Sequence, residues 1–343
     1  MNKTTKTILR IVLPLAFGAI ILWLLYRNMD FAAVYETLRS DANYWIIFAS
    51  CLFGTAGNTF RGLRWQLLNK ALPNSQGVKM VNSILTTHGN YAVNMALPRL
   101  GEVWRCAAMG HYSSVGFSSL FGTLIVDRAS DFVVVGVLLL ISVLLNAGFF
   151  RDFFQGTTAG GGTLYQITAS PKFYIGLMLI IVLIVVSIWV LRKSRLGEKL
   201  QQQVRLIRDG LRTVATLEQQ GLFYLYTLLI WLGYFLQFYL TFYAFSFTTQ
   251  LGVGVGLLTF LMSSIAIAAP VQAGMGAWHF MVIYTLGIFG VQQTDAASFA
   301  LIVHTLQTLW MTLVGLVAIA LLPLFNNGER VRPTAREEIK GNV

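Results

Sequence analysis

Two carboxylates and an arginine stand inside an apolar run in this chain, and buried charge of that kind is where chemistry or recognition begins. Asp127 and Asp131 lie four residues apart, so a helix puts both on one face, with Arg128 beside them. If the apolar run starts at 118 near the membrane interface, Asp131 lies about 20 Å along it at 1.5 Å per residue. Each charge at such depth costs about 2.5–3.5 kcal/mol, so each needs a partner. Arg128 can serve one carboxylate, and Arg99 or Arg105 the other. Arg99, Glu102 and Arg105 form a second group, and Arg61 and Arg64, next to Trp65, a third. Arginine offers a planar fork that grips phosphate or carboxylate through two parallel bonds. The competing explanation is a salt-bridge network that only fixes packing. For Arg61 and Arg64, anchoring on the cytoplasmic side serves equally well. Later in the chain, Gln272, Trp278 and His279 are the polar or amphipathic groups of another apolar stretch. His279 has the ordinary titration range for proton coupling, although a satisfied packing histidine is the more usual outcome.

The elements that must position these groups are membrane spans. Of 343 residues, 56% are hydrophobic and 11% charged, whereas a soluble domain carries about 25% charged residues. Segments 8–26, 44–60, 118–146, 173–191, 222–247 and 296–324 are long and apolar enough to read as spans. The first reads as a retained span rather than a cleaved signal, since no A-x-A-like site follows it. The net charge of +11 collects in loops, which the positive-inside rule explains without nucleic acid. Both termini and the segments 61–79 and 192–221 are then cytoplasmic, and 27–43 and 147–172 lie outside. Apolar residues at Leu196, Leu200, Val204, Ile207, Leu211 and Val214 make 192–221 an amphipathic surface helix. Residues 326–343 read as a polar cytoplasmic tail.

Counting sides imposes a constraint. Region 78–117 must enter and leave on the same side, as a re-entrant hairpin or two short crossings. Region 251–324 needs an odd number of crossings, met by one span plus a hairpin over 251–292 or by three crossings. Both regions carry a Pro, then Gly, then Trp: Pro98, Gly101 and Trp104 in one, Pro270, Gly274, Gly276 and Trp278 in the other. Interrupted segments at corresponding places in two halves are the sequence pattern of an inverted-repeat transporter. Broken backbone at membrane depth is tolerated where it is protein-buried or lines a wet cavity. We take Pro98, Gly101, Pro270, Gly274 and Gly276 as hinges. The expected fold is an all-α polytopic bundle over 1–325 with two interrupted hairpins.

No HExxH or other ligand spacing joins the four histidines, so no metal is expected, and no cofactor. Cys51 and Cys106 read as reduced packing residues.

At Arg61-x-x-Arg64-Trp65, Pro98-Arg99-x-Gly101-Glu102, Asp127-Arg128-x-x-Asp131 and Pro270 with Gly274-x-Gly276, the chain resembles the lysylphosphatidylglycerol synthase transmembrane family, also called the flippase-like domain. It is similar to the membrane half of the multiple peptide resistance factor. Two departures stand out: Asp127 replaces the family's Glu, and His279 stands where the last motif ends in Glu. The resemblance implies a multi-pass bacterial inner-membrane protein that moves a lipid across the bilayer, with membrane lipids of anionic headgroup as partners. A homo-oligomer or a separate synthase partner stays open. The aminoacyl transferase domain of larger members is not expected, so lipid aminoacylation is not either. No Walker A sequence is present, which leaves passive scrambling or gradient coupling. The alternatives are a membrane-embedded transferase on a lipid-linked substrate, with Glu102 or an Asp of the pair as base, and a structural subunit.

Overall fold

The computed structural model describes residues 31–72, 75–97, 100–145, 217–267 and 274–326, with 20, 22–24, 26, 27, 147 and 271 beside them. Most of span 8–26, all of 173–191, the amphipathic helix expected at 192–221 apart from its last residues, and the tail beyond Asn326 fall outside them. So do Pro98, Arg99, Pro270 and Gln272. The described residues are helical and loop only: α1 (Phe31–Glu36), α2 (Tyr44–Lys70), α3 (Met80–Ala96), α4 (Gly101–His111), α5 (Phe117–Leu145), α6 (Gln220–Tyr239), α7 (Val253–Ala266), α8 (Ala277–Ile288) and α9 (Gln293–Leu321). Segments Phe117–Leu145, Gln220–Ala244 and Gln293–Asn326 are long and apolar enough to cross a membrane. The chain is an all-α membrane protein.

Helix α2 corrects the sequence reading most. Its start matches: the Asn43 side chain accepts from the amides of Trp45 and Ile46, capping the helix. Its end does not, because the helix runs to Lys70 instead of stopping near 60. Arg61 and Arg64 are therefore inside the bundle, 3% and 0% exposed, not anchors in a cytoplasmic loop. A helix continues through two arginines at this depth only when carboxylates meet them, and α5 supplies those.

The two interrupted regions are helix pairs. Helices α3 and α4 rise about 25 and 16 Å at 1.5 Å per residue, α7 and α8 about 21 and 18 Å, all short of a bilayer core of about 30 Å. The first pair starts and finishes at one end of the bundle, where Ser114 donates its amide and hydroxyl to Gln76 O, each at 3.0 Å. Asn82 and Asn326 exchange two side-chain hydrogen bonds, which bring the end of the α9 segment to the same place. The second pair belongs to the opposite end. There Asn43 N bonds Ala244 O, Asp41 accepts from Ser246 N ahead of α7, and α8 is followed within five residues by α9. Each pair returns to the end it starts from, the two at opposite ends, as the charge count required; of the two forms that count left open, hairpin or short crossings, the helix lengths fit the hairpin.

Close helix approach relies on glycine. A Cβ on Gly233 of α6 would stand 2.9 Å from Phe53 O and 3.0 Å from the Gly57 Cα of α2. Gly233→Leu should push α2 from α6 and cost about 1–3 kcal/mol, the usual penalty of overpacking. Gly136→Leu, with nothing within 4 Å, should cost nothing. Thermal unfolding in detergent compares them, and equal melting temperatures would contradict the packing.

Candidate functional site

Helices α2, α5 and α6 build a charged quartet in the bundle interior. On α2, Arg61 and Arg64 share one face, three residues apart; on α5, Asp127 and Asp131 face them one turn apart. Arg64 donates from Nε to Asp127 Oδ1 at 2.8 Å and from Nη2 to Asp131 Oδ1 at 2.8 Å, so one guanidinium spans both carboxylates. Arg61 Nη1 lies 2.6 Å from Asp131 Oδ2 and 3.6 Å from Asp127 Oδ2. Two arginines and two aspartates make the quartet neutral.

Polar side chains from neighbouring helices aim the arginines. Arg61 Nε donates to Tyr234 OH at 2.9 Å, and the Tyr234 hydroxyl donates in turn to Asn58 Oδ1. Tyr91 OH reaches the same Asn58 oxygen at 2.8 Å. Arg64 Nη1 donates to Thr227 Oγ1 at 3.2 Å. None of Asn58, Tyr91, Thr227 and Tyr234 stood out in the sequence. Asn58 carried the one usable signal, an amide within an otherwise apolar span.

The expected partners of the aspartates are thus replaced. Arg128 turns to Glu102 of α4, with Nε 2.8 Å from Oε1, and only approaches Asp131 at 3.6 Å. This second pair is open, the two side chains being 33% and 38% exposed. It sits in a groove between α4 and α5 of about 180 Å³, lined by Glu102, Phe121, Leu124, Ile125, Arg128, Ala129 and Phe132. Phe132 at the rim is 74% exposed, on the side of α5 that also presents Val133, Val137 and Leu140 outward. The groove therefore has a zwitterionic floor and apolar walls facing the lipid side.

Arg105 does not join either cluster. It is fully buried, none of its three guanidinium nitrogens has a hydrogen-bond partner among the described residues, and its Cζ lies 4.0 Å from the Trp65 ring centroid. Stacking on tryptophan returns about 2 kcal/mol when desolvated, against several for taking an ion out of water.

The second hairpin gathers Trp278 and His279 with His304 and Tyr26. The two imidazole centroids are 4.5 Å apart, and Gly276 N donates to His279 Nδ1 at 3.3 Å. Trp278 and His279 are both buried among aromatic rings and form no bond with the arginine–carboxylate clusters among the described residues. They do not line the groove. Gly274 and Gly276 adopt φ of 73° and 81°, which L side chains resist, and so break the chain ahead of α8. Gly101 acts differently: its amide donates to Asn94 Oδ1 at 2.8 Å, and a Cβ there would run into Asn90 O of α3. Among the described residues no group of three or more His, Cys, Asp or Glu could hold a metal ion.

A family model described as the lysylphosphatidylglycerol synthase TM region matches residues 11–315. No curated protein and no solved structure matches the chain.

Proposed function

We propose that this chain, which belongs to the lysylphosphatidylglycerol synthase transmembrane family, moves a phospholipid across the bilayer through the α4–α5 groove. Family membership makes it a membrane protein linked to lipid handling. Translocation is our reading, and the Glu102–Arg128 pair carries it. An ion pair on the lipid side of a bundle is costly unless something polar arrives there. A phosphodiester can take Arg128 by bidentate bonding, and Glu102 then faces the rest of the headgroup. The apolar walls from Phe121, Ile125 and Phe132 suit the first methylenes of the tails, which stay in the membrane.

In this reading the neutral quartet is scaffold. It holds α2 and α5 in register, so that Arg128 and Glu102 face each other at the groove. The protein would change no covalent bond of the lipid. We place it in a bacterial inner membrane, with the end that carries Gln76, Ser114 and Asn326 in the cytoplasm, where Lys70 closes α2 and Lys79 precedes α3.

Reconstitution tests the proposal. Liposomes holding the protein and a headgroup-labelled phospholipid should expose inner-leaflet label to an external quencher faster than protein-free liposomes. Equal rates reject translocation. A new lipid species by mass spectrometry, without faster exposure, selects a transferase instead.

A further inference from the structure

We infer that the buried Arg105–Trp65 core between α2, α4 and α5 is a phosphate-binding site, occupied by the phosphate of a lipid headgroup or by free phosphate. As a lipid station it rests on the translocase reading above.

Three observations converge on it. Arg105 is 0% exposed, yet among the described residues no nitrogen of its guanidinium meets an acceptor and no carboxylate lies within ion-pair distance. The Trp65 ring covers one face of the guanidinium and cannot accept from its in-plane N–H groups. The second observation is another buried donor one turn along α2 from Trp65. Trp65 Nε1 donates to Thr123 Oγ1 at 3.1 Å, and Thr123 Oγ1 to Asn69 Oδ1 at 2.6 Å, while Asn69 Nδ2 has no acceptor among the described residues. The groups left wanting against Trp65, on Arg105 and Asn69, are donors, and an acceptor-only species fits them where a cation or an amine does not; the nearby Asp127 Oδ2, which also lacks a hydrogen bond, has Arg61 at 3.6 Å.

The third is charge. The quartet of Arg61, Arg64, Asp127 and Asp131 is neutral, and so is the Glu102–Arg128 pair. Arg105 is the surplus, and one anion balances it. Among anions, phosphate is the one that a lipid-handling membrane protein meets in every phospholipid, and its oxygens match the guanidinium fork. Position agrees: Glu102 lines the groove, and Arg105 is three residues on along α4, one turn further into the protein. A headgroup that separates Glu102 from Arg128 has Arg105 as its next cation.

Thermal unfolding of the full chain in dodecyl maltoside tests the site, with ionic strength held constant in chloride. Inorganic phosphate and dihexanoyl phosphatidylglycerol are added separately. We expect the melting temperature of the wild type to rise with at least one of them. Arg105→Met should melt higher than the wild type without additive, because it removes a stranded charge, and should lose the anion-dependent rise. A rise with inorganic phosphate assigns free phosphate; a rise with the short lipid alone assigns the headgroup. Should Arg105→Met fail to fold, Arg105→Lys keeps the charge without the fork and must show a smaller rise. No rise for the wild type with either probe, or an undiminished rise in the variant, overturns the site. Lipid movement is not read here, so a bound anion in a protein that moves no lipid leaves the site standing and sinks only the translocase reading.

Discussion

Arg64→Met alone should be among the most damaging single substitutions in the protein, and Asp127→Leu on the same background should restore much of the loss. Arg64 is fully buried and spans both aspartates. Removing it leaves Asp127, also fully buried, with only the 3.6 Å approach of Arg61. Breaking a buried pair by deleting one partner costs about 3–5 kcal/mol, since the other charge stays dry and uncompensated. The double variant removes both charges and keeps Arg61 on Asp131 at 2.6 Å, a neutral pair. Replacing a buried ion pair by apolar residues is commonly neutral or stabilising by about 1–4 kcal/mol. Unfolding in mixed dodecyl maltoside and SDS micelles measures this as a coupling energy between the two sites. Additive losses would mean that the two side chains do not depend on each other. Because the quartet is scaffold in our reading, the double variant should also translocate lipid near the wild-type rate once folded.

The same quartet separates what spacing specifies from what it leaves open. A spacing of four residues from Asp127 to Asp131 suffices to put them on one helical face, and Arg64 does bridge both. Their partners are out of reach of such a pattern, because Arg61 and Arg64 look like ordinary cytoplasmic anchors where an apolar run stops. Whether a helix continues past such arginines depends on carboxylates more than sixty residues away, which no local pattern records. The same blindness pairs Arg105 with an aspartate it does not touch and turns Arg128 away from Glu102. Loop charge does better. It requires each interrupted region to return to its own side, and the bond between Gln76 and Ser114 meets that requirement for the first. Charge counts sides, and sides survive errors of ten residues in a boundary. Side-chain meetings do not: His279 meets His304 at 4.5 Å across two helices, and nothing near either residue announces it. The candidate residues fall instead into a dry quartet, an open pair and a separate aromatic cluster.

Glu102→Gln and Arg128→Gln should leave stability nearly intact and abolish most lipid movement, the reverse of the Arg64 pattern. Where its heads reach water or lipid headgroups, a pair exposed to this degree contributes about 0–1 kcal/mol to folding, so melting temperatures should stay close to the wild type. Function is different, because a charge-assisted hydrogen bond to a headgroup is worth about 1.5–3 kcal/mol. If that bond lowers the barrier to entry, its loss slows translocation about 10- to 100-fold, at about 1.4 kcal/mol per tenfold. Arg128→Lys sharpens the point: it keeps the charge but gives up the bidentate fork, so it should fall between wild type and Arg128→Gln. Liposome translocation rates, normalised to the amount of reconstituted protein, are the readout. Wild-type rates in all three variants would remove the groove from the path. A loss that tracks the melting temperature would make the pair structural. A graded loss at constant stability is the outcome that only a headgroup contact produces, since a packing role cannot distinguish lysine from arginine at a site one-third open to its surroundings.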